Sequence, residues 1–225
     1  MKKLKVFENP EVVELFYKFL DNLFKESGRG ALLLANSYIE EELEKLILAF
    51  IPNTSKTNQK KLFNPSGLLS TASAKIEFAY ISRLIGKKQY DCLTALRKLR
   101  NDAAHKSGYF DLEMLNESLV KVYDLGPNSN YALREIAYET LKIFKIDPLR
   151  ERLRSSYPDL PQNDIDEIFN KTLSKEDTIK SLEKQFPFWE LVIGLTHLCA
   201  IIIHEKERII TLTQDLKLLS GLVKE

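Results

Sequence analysis

Cysteine, histidine, glycine and proline are all scarce in this chain. The two cysteines, Cys92 and Cys199, lie inside stretches where apolar residues recur every three or four positions, and they match no CxxC or Cys/His spacing. That pattern argues against a disulfide framework and a zinc site, and leaves two buried thiols in a reducing cytosol as the expectation. His197 and His204 are seven apart on one helical face, but strongly apolar residues separate them. They are expected to be core or interface histidines, and no cofactor or metal is expected.

Charge of one sign is also missing. Thirty-three Lys and Arg stand against 32 Asp and Glu, a formal net charge of +1. No global field draws a polyanion or an anionic membrane from a distance, so a nucleic-acid site has to be a local patch. The start, MKKLKVFENPEVVEL, has lysines but no continuous apolar core followed by small residues, and the expected location is the cytoplasm. One long apolar run, FPFWELVIGLTHLCAIII from Phe186 to Ile203, approaches spanning length. Pro187, Glu190 and His197 interrupt it, which favours a helix buried in protein and no membrane span.

Only eight glycines and eight prolines punctuate the sequence, no strand-like alternation persists, and hydrophobic residues make up 44% of the chain. These features specify an all-α protein with ample material for a core. Asn9 as N-cap and Pro10 at the first helical position open a helix with Val13, Phe16, Leu20 and Leu23 on one face. A second helix, from about Arg29 to Phe50, turns Ala35, Ile39, Leu43, Leu46 and Phe50 inward. Pro52, Asn64-Pro65 and Gly67 then imply a long connection. Ser70 or Thr71 caps a third helix, which Gly86 is expected to close in the left-handed conformation. A fourth, from about Lys88 to Ala104, places Cys92, Leu96, Leu99 and Ala103 on its core side.

Beyond Gly108, Asp111 can cap the next helix and Gly126-Pro127 breaks it. Helix resumes from Tyr131 to Ile146, and Asp147-Pro148 restarts a short one. Ser174 with Asp177 resembles a capping box, and a long last helix runs from Phe188 to about Leu219. The natural division gives a helical bundle over residues 1–110 and a C-terminal helical extension over 111–225, with the two packed together. Trp189 with Phe186 and Phe188 reads as core or as an anchor for a partner.

The chemistry-bearing stretch is LRKLRNDAAHKSG, Leu96 to Gly108. Residues four apart share a helix face, so Arg97, Asn101 and His105 form a stripe. Arg100 is offset from His105 by about 140°, and its long side chain can reach round. Cleavage of RNA by its own 2′-hydroxyl needs a base, an acid and a cation for the phosphorane, and imidazole and guanidinium supply these without metal. One histidine cannot easily be both base and acid, so such an enzyme would be a symmetric homodimer, and a homodimer is the expectation for the regulatory reading as well. Glu42 falls in the apolar stripe of the second helix. It is expected either to pair in the core with Arg97 or Arg100, or to bend outward as a rim carboxylate beside Glu40, Glu41 and Glu44.

Ser66, Ser70, Thr71 and Ser73 precede a helix whose amides can hold a phosphate with Lys75 nearby, although capping alone accounts for them. Arg83, Lys87, Lys88, Arg97, Lys98 and Lys106, interleaved with Tyr80, Tyr90 and Tyr109, fit RNA or a nucleotide phosphate, and equally an ordinary solvated face. No short basic helix follows a glycine turn in the helix-turn-helix manner, which argues against direct binding to DNA.

Arg100-Asn101-Asp102-Ala103-Ala104-His105 is similar to the Arg, polar residue, three variable residues, His signature of the HEPN superfamily. Three segments together, GALLLANSYIEEELEKLI (Gly30 to Ile47), LFNPSGLLSTASAKIEFAYISRLI (Leu62 to Ile85) and YDCLTALRKLRNDAAH (Tyr90 to His105), resemble the mannitol operon repressor family, a HEPN-like group of bacterial regulators. The resemblance spans about Glu26 to Ser107. It implies a HEPN-like bundle and a role in repression without a recognised DNA-binding motif, exercised through a protein partner or RNA. HEPN-like proteins include ribonucleases as well as binders, so the alternative it implies is a metal-independent endoribonuclease. In that case Arg100, Asn101 and His105 would be catalytic, whereas the regulatory reading makes Arg97, Lys98, Lys106, Glu42 and Lys75 binding residues.

Overall fold

Asn9 and Pro10 begin the first helix as their chemistry dictates: the Glu11 amide donates to the Asn9 carboxamide oxygen at 2.9 Å, and proline occupies the first turn. A computed structural model describes residues 8–51, 55–105, 108, 110–112, 116–173, 180 and 183–222. Within them the architecture is all-α, with no strand.

Helix α1 (Pro10–Leu23) buries Val12, Leu15, Phe16, Phe19, Leu20 and Leu23. Val12 takes the inward place that was expected for Val13. Helix α2 (Gly28–Phe50) is capped by Ser27, whose hydroxyl accepts from the Gly30 amide at 3.2 Å. Its inward residues include Ala35, Ile39, Leu43 and Leu46. Phe50, expected inside, is 45% exposed because the last turn runs past the core and Ile47 takes the inner position.

The expected connection from Ile51 to Gly67 contains a short helix, α3 (Lys56–Phe63). Leu62 and Phe63 at its end pack on the core. Gly67 follows in a turn so close that a Cβ there would stand 2.3 Å from the Leu62 carbonyl oxygen. The chain then reaches α4 (Ala72–Ile81), with Thr71 as N-cap accepting from the Ala74 amide at 3.1 Å. The end of α4 differs from expectation. Arg83, at φ 57°, takes the left-handed conformation, and Gly86 does not. The Leu84 and Ile85 amides both donate to the Ala79 carbonyl, and both side chains are buried. That burial repays the modest cost of a non-glycine left-handed residue.

Helix α5 (Lys87–His105) turns Cys92, Leu93, Leu96, Leu99 and Ala103 into the core, as the spacing predicts. Then come α6 (Asn116–Val122), α7 (Ser129–Leu141), a π-helical turn (Lys142–Ile146), α8 (Asp147–Ser156), α9 (Gln162–Leu173) and the 37-residue α10 (Phe186–Leu222). The Ser174–Asp177 capping box lies outside the described residues.

One cluster of buried side chains reaches from Val12 to Ile203, so the two halves of the chain share a core. α10 packs along α2 and also against α1, α6 and α7. It is long and apolar enough to cross a bilayer, and most of its apolar stretch is buried against protein. Trp189 is fully buried, its ring 5.2 Å from Phe24 and 5.5 Å from Phe144. Burying residues such as Phe19, Leu32, Leu43 and Leu191 contributes about 1.5–3 kcal/mol each over leaving them in water. Both thiols are buried, and desolvation raises the Cys92 pKa to about 11.

Candidate functional site

Three elements converge on a cleft of about 360 Å³: α2 with Asn36 and Glu40, the start of α4 with Ser70 to Ser73, and α5 with Arg97, Arg100 and Asn101. Each contribution follows from helical spacing. Asn36 and Glu40 are one turn apart, as are Arg97 and Asn101, and the tight turn at Gly67 brings the α4 N-terminus between the two helices.

The acidic side of the cleft is already satisfied. Glu40 accepts from the Asn36 carboxamide at 2.6 Å through one oxygen and from the Lys75 ammonium at 3.1 Å through the other. Lys75 also contacts Glu44 at 2.6 Å. Its own side chain is 5% exposed. Burial disfavours its charge, but the hydrogen bonds to Glu44 and Glu40 outweigh that penalty and raise its pKa above the ordinary lysine value of 10.5.

The basic side is open. Arg97 and Arg100 are half-buried, and neither has a carboxylate partner among the described residues. Arg100 donates to the Asn101 carboxamide oxygen at 3.2 Å, which leaves other N–H groups of that guanidinium unengaged. Two guanidiniums thus face a carboxylate whose charge is offset in part by Lys75, which Glu44 shares. The Ala72 and Ser73 amides at the start of α4 lack intrahelical acceptors, the Ala74 amide being capped by Thr71, and they carry the positive end of the helix dipole. Hydroxyls from Ser70, Thr71 and Ser73 edge the same space. The arrangement suits a tetrahedral oxyanion.

The other expected site residues fall elsewhere. Glu42 is buried, but it pairs with Lys45 at 2.6 Å and not with Arg97 or Arg100. Two residues on a helix is about 200° of rotation, so Glu42 faces away from Glu40 and the arginines. Its second oxygen is buried without a hydrogen bond. Lys75 stands behind Glu40, engaged by two carboxylates, and is not free to meet a phosphate. Lys98 is exposed and does not line the cleft. His105, in the last turn of α5, is exposed and is likewise absent from the cleft wall. Lys106 and Tyr109 lie outside the described residues. Elsewhere in the basic region, Lys87 bonds to Asp91, Lys88 sits 3.9 Å from Asp124, and the Tyr90 hydroxyl donates to Glu77 at 2.6 Å. Lys87, Lys88 and Tyr90 thus have partners within that region.

Asn36 and Glu40 were not foreseen as site residues. Their signal was the polar series Asn36, Glu40, Glu44, repeating every four residues along a helix otherwise rich in apolar side chains. Among the described residues no group of three His, Cys, Asp or Glu side chains could hold a metal ion. Comparison of the chain with protein-family models, with curated proteins and with solved structures finds no match.

Proposed function

We propose that this chain is a cytoplasmic, dimeric regulatory protein of the mannitol-operon-repressor kind on a HEPN-like bundle, whose Arg97–Arg100 cleft reads a phosphate-bearing ligand. The observation that carries this reading is the meeting of two carboxylate-free guanidiniums with a helix N-terminus in one cleft that lacks an imidazole. Guanidinium stays protonated and carboxamide does not titrate, so Arg97, Arg100 and Asn101 bind and orient but do not move protons. Occupancy would brace α2, α4 and α5 against each other, and the regulatory output passes to a protein partner or an RNA.

Thermal unfolding with inorganic phosphate, pyrophosphate and AMP tests this. Each is expected to raise Tm for the wild type and not for Arg97→Ala. No shift with any of them at about 10 mM would discard the reading.

A second reading, a metal-independent endoribonuclease, draws on the exposure of His105 one helical turn beyond Asn101. Two copies across a twofold axis would supply the base and the acid, with Arg100 stabilising the phosphorane. It requires RNA cleavage in EDTA that leaves 2′,3′-cyclic ends and disappears in His105→Ala; intact RNA after prolonged incubation removes it.

A further inference from the structure

A second cavity lies in the C-terminal half, between α6, α7 and the start of α10. It measures about 340 Å³, and its walls are apolar: Leu119 and Val120 from α6, Tyr123 just beyond that helix, and Leu133 from α7. Tyr123 is fixed in place. Its hydroxyl donates to the Leu191 carbonyl at 3.2 Å, and its ring presses on Gly194 so tightly that a Cβ there would sit 2.1 Å away.

Three polar groups meet these walls. Asn130 and Arg134 share a face of α7, and Glu190 reaches in from α10. The Asn130 carboxamide oxygen is buried and has no hydrogen-bond partner. The Glu190 side chain is 13% exposed and lies 3.4 Å from the Arg134 Nε. Burial raises the Glu190 pKa, and Arg134 offsets this only in part. Arg134 is itself 69% exposed and meets Glu190 through Nε, not through its terminal N–H groups. A desolvated acceptor without a donor, as at Asn130, is costly to keep, and a ligand that supplies a donor recovers that cost.

The polar arrangement defines what would fit. A primary ammonium brings three donors, and Glu190 with Asn130 offers acceptors for them. The guanidinium immediately beside Glu190 offers a fork for a carboxylate. Only one carbon separates the ammonium and carboxylate of an α-amino acid, so such a molecule needs an acidic and a basic protein group side by side. Glu190 and Arg134 meet that need, and the apolar walls accept a hydrocarbon side chain. The volume is near the lower end of the roughly 300–1,000 Å³ found for small-molecule sites, which suits one amino acid better than a peptide or nucleotide.

We propose that this cavity binds a free apolar α-amino acid, with its ammonium on Glu190 and Asn130 and its carboxylate on Arg134. The site is separate from the Arg97–Arg100 cleft and does not depend on that cleft's function. Calorimetric titration of the full chain with L-leucine and L-phenylalanine tests it. Three comparators each lack one element: 4-methylpentanoate has no ammonium, isoamylamine no carboxylate, and glycine no side chain. Saturable binding of L-leucine is expected, about tenfold or more weaker for each comparator and for Arg134→Gln and Glu190→Gln. Glu190→Gln removes a desolvated charge and keeps the shape, so the fold should persist, which circular dichroism checks. Arg97→Ala should bind L-leucine as the wild type does. Absence of saturable binding up to about 10 mM overturns the proposal. So does equal affinity for isoamylamine and L-leucine, or indifference to both substitutions.

Discussion

Lys75 donates to Glu40 across 35 positions of sequence, at 3.1 Å, and so joins α4 to α2 beneath the cleft. The contact offsets part of the charge on Glu40, the carboxylate that lines the cleft, and Arg97 and Arg100 bring two positive charges to the same space. Replacing Lys75 with methionine keeps most of the buried stem and removes the charge. It should destabilise the fold by about 2 kcal/mol, less than for a fully buried pair because Glu40 and Glu44 both reach solvent. Urea denaturation measures this, and a loss below about 0.5 kcal/mol would mean that the bridge is incidental.

The same lysine gives stability a pH signature. Its pKa is higher in the folded chain than the ordinary 10.5, so its contribution is complete below that value and is lost as pH rises through the folded pKa. The stability difference between wild type and Lys75→Met should hold steady near neutrality and shrink above pH 10.5. A difference that widened with alkalinity would contradict the assignment.

Glu190 runs the other way. Burial raises its pKa above 4.5, so the folded state holds a proton that the unfolded state has released, and stability falls as pH rises from 4.5 through the folded value. Glu190→Gln removes this penalty. The variant should be somewhat more stable than wild type at pH 7, with the advantage disappearing below pH 4.5. Chemical denaturation at several pH values follows it, and a variant less stable at pH 7 would show that the ion pair with Arg134 outweighs desolvation.

Gly194 tests how the C-terminal helix meets the rest of the fold. A β-branched side chain there must displace the Tyr123 ring, which is 2% exposed and hydrogen-bonded. Overpacking of this kind costs about 1–3 kcal/mol, and valine regains little of glycine's helix penalty. Gly194→Val should therefore lower Tm by several degrees. An unchanged melting curve would mean that α6 and α10 are not in close contact.

Several features of this structure were legible in the sequence because they are local. Asn9-Pro10, Ser70-Thr71 and the apolar spacing of Cys92, Leu96, Leu99 and Ala103 each specify their own element. The inward face of α2 was legible in Ala35, Ile39, Leu43 and Leu46, but the carboxylate that meets the arginines was not. Glu42 was expected to pair with Arg97 or Arg100 or to bend outward, whereas it is buried against Lys45 and Glu40 lines the cleft. α3 was hidden because Lys56 to Lys61 is polar throughout, and the docking of Leu62 and Phe63 secures its end. Gly86 drew the expectation of a left-handed turn, yet the burial of Leu84 and Ile85 placed that turn at Arg83. His105 was expected beside Arg100 and Asn101. One turn of helix carries it beyond the cleft, a separation that sequence spacing alone does not resolve.

Calorimetric titration of pyrophosphate into wild type, His105→Ala and the double variant Arg97→Ala/Arg100→Ala tests the central claim most directly. Saturable heat is expected for wild type and His105→Ala, with affinity lowered at least about tenfold in the folded double variant. Equal binding by all three proteins, or no binding by the wild type, would contradict the assignment of the cleft as an anion site.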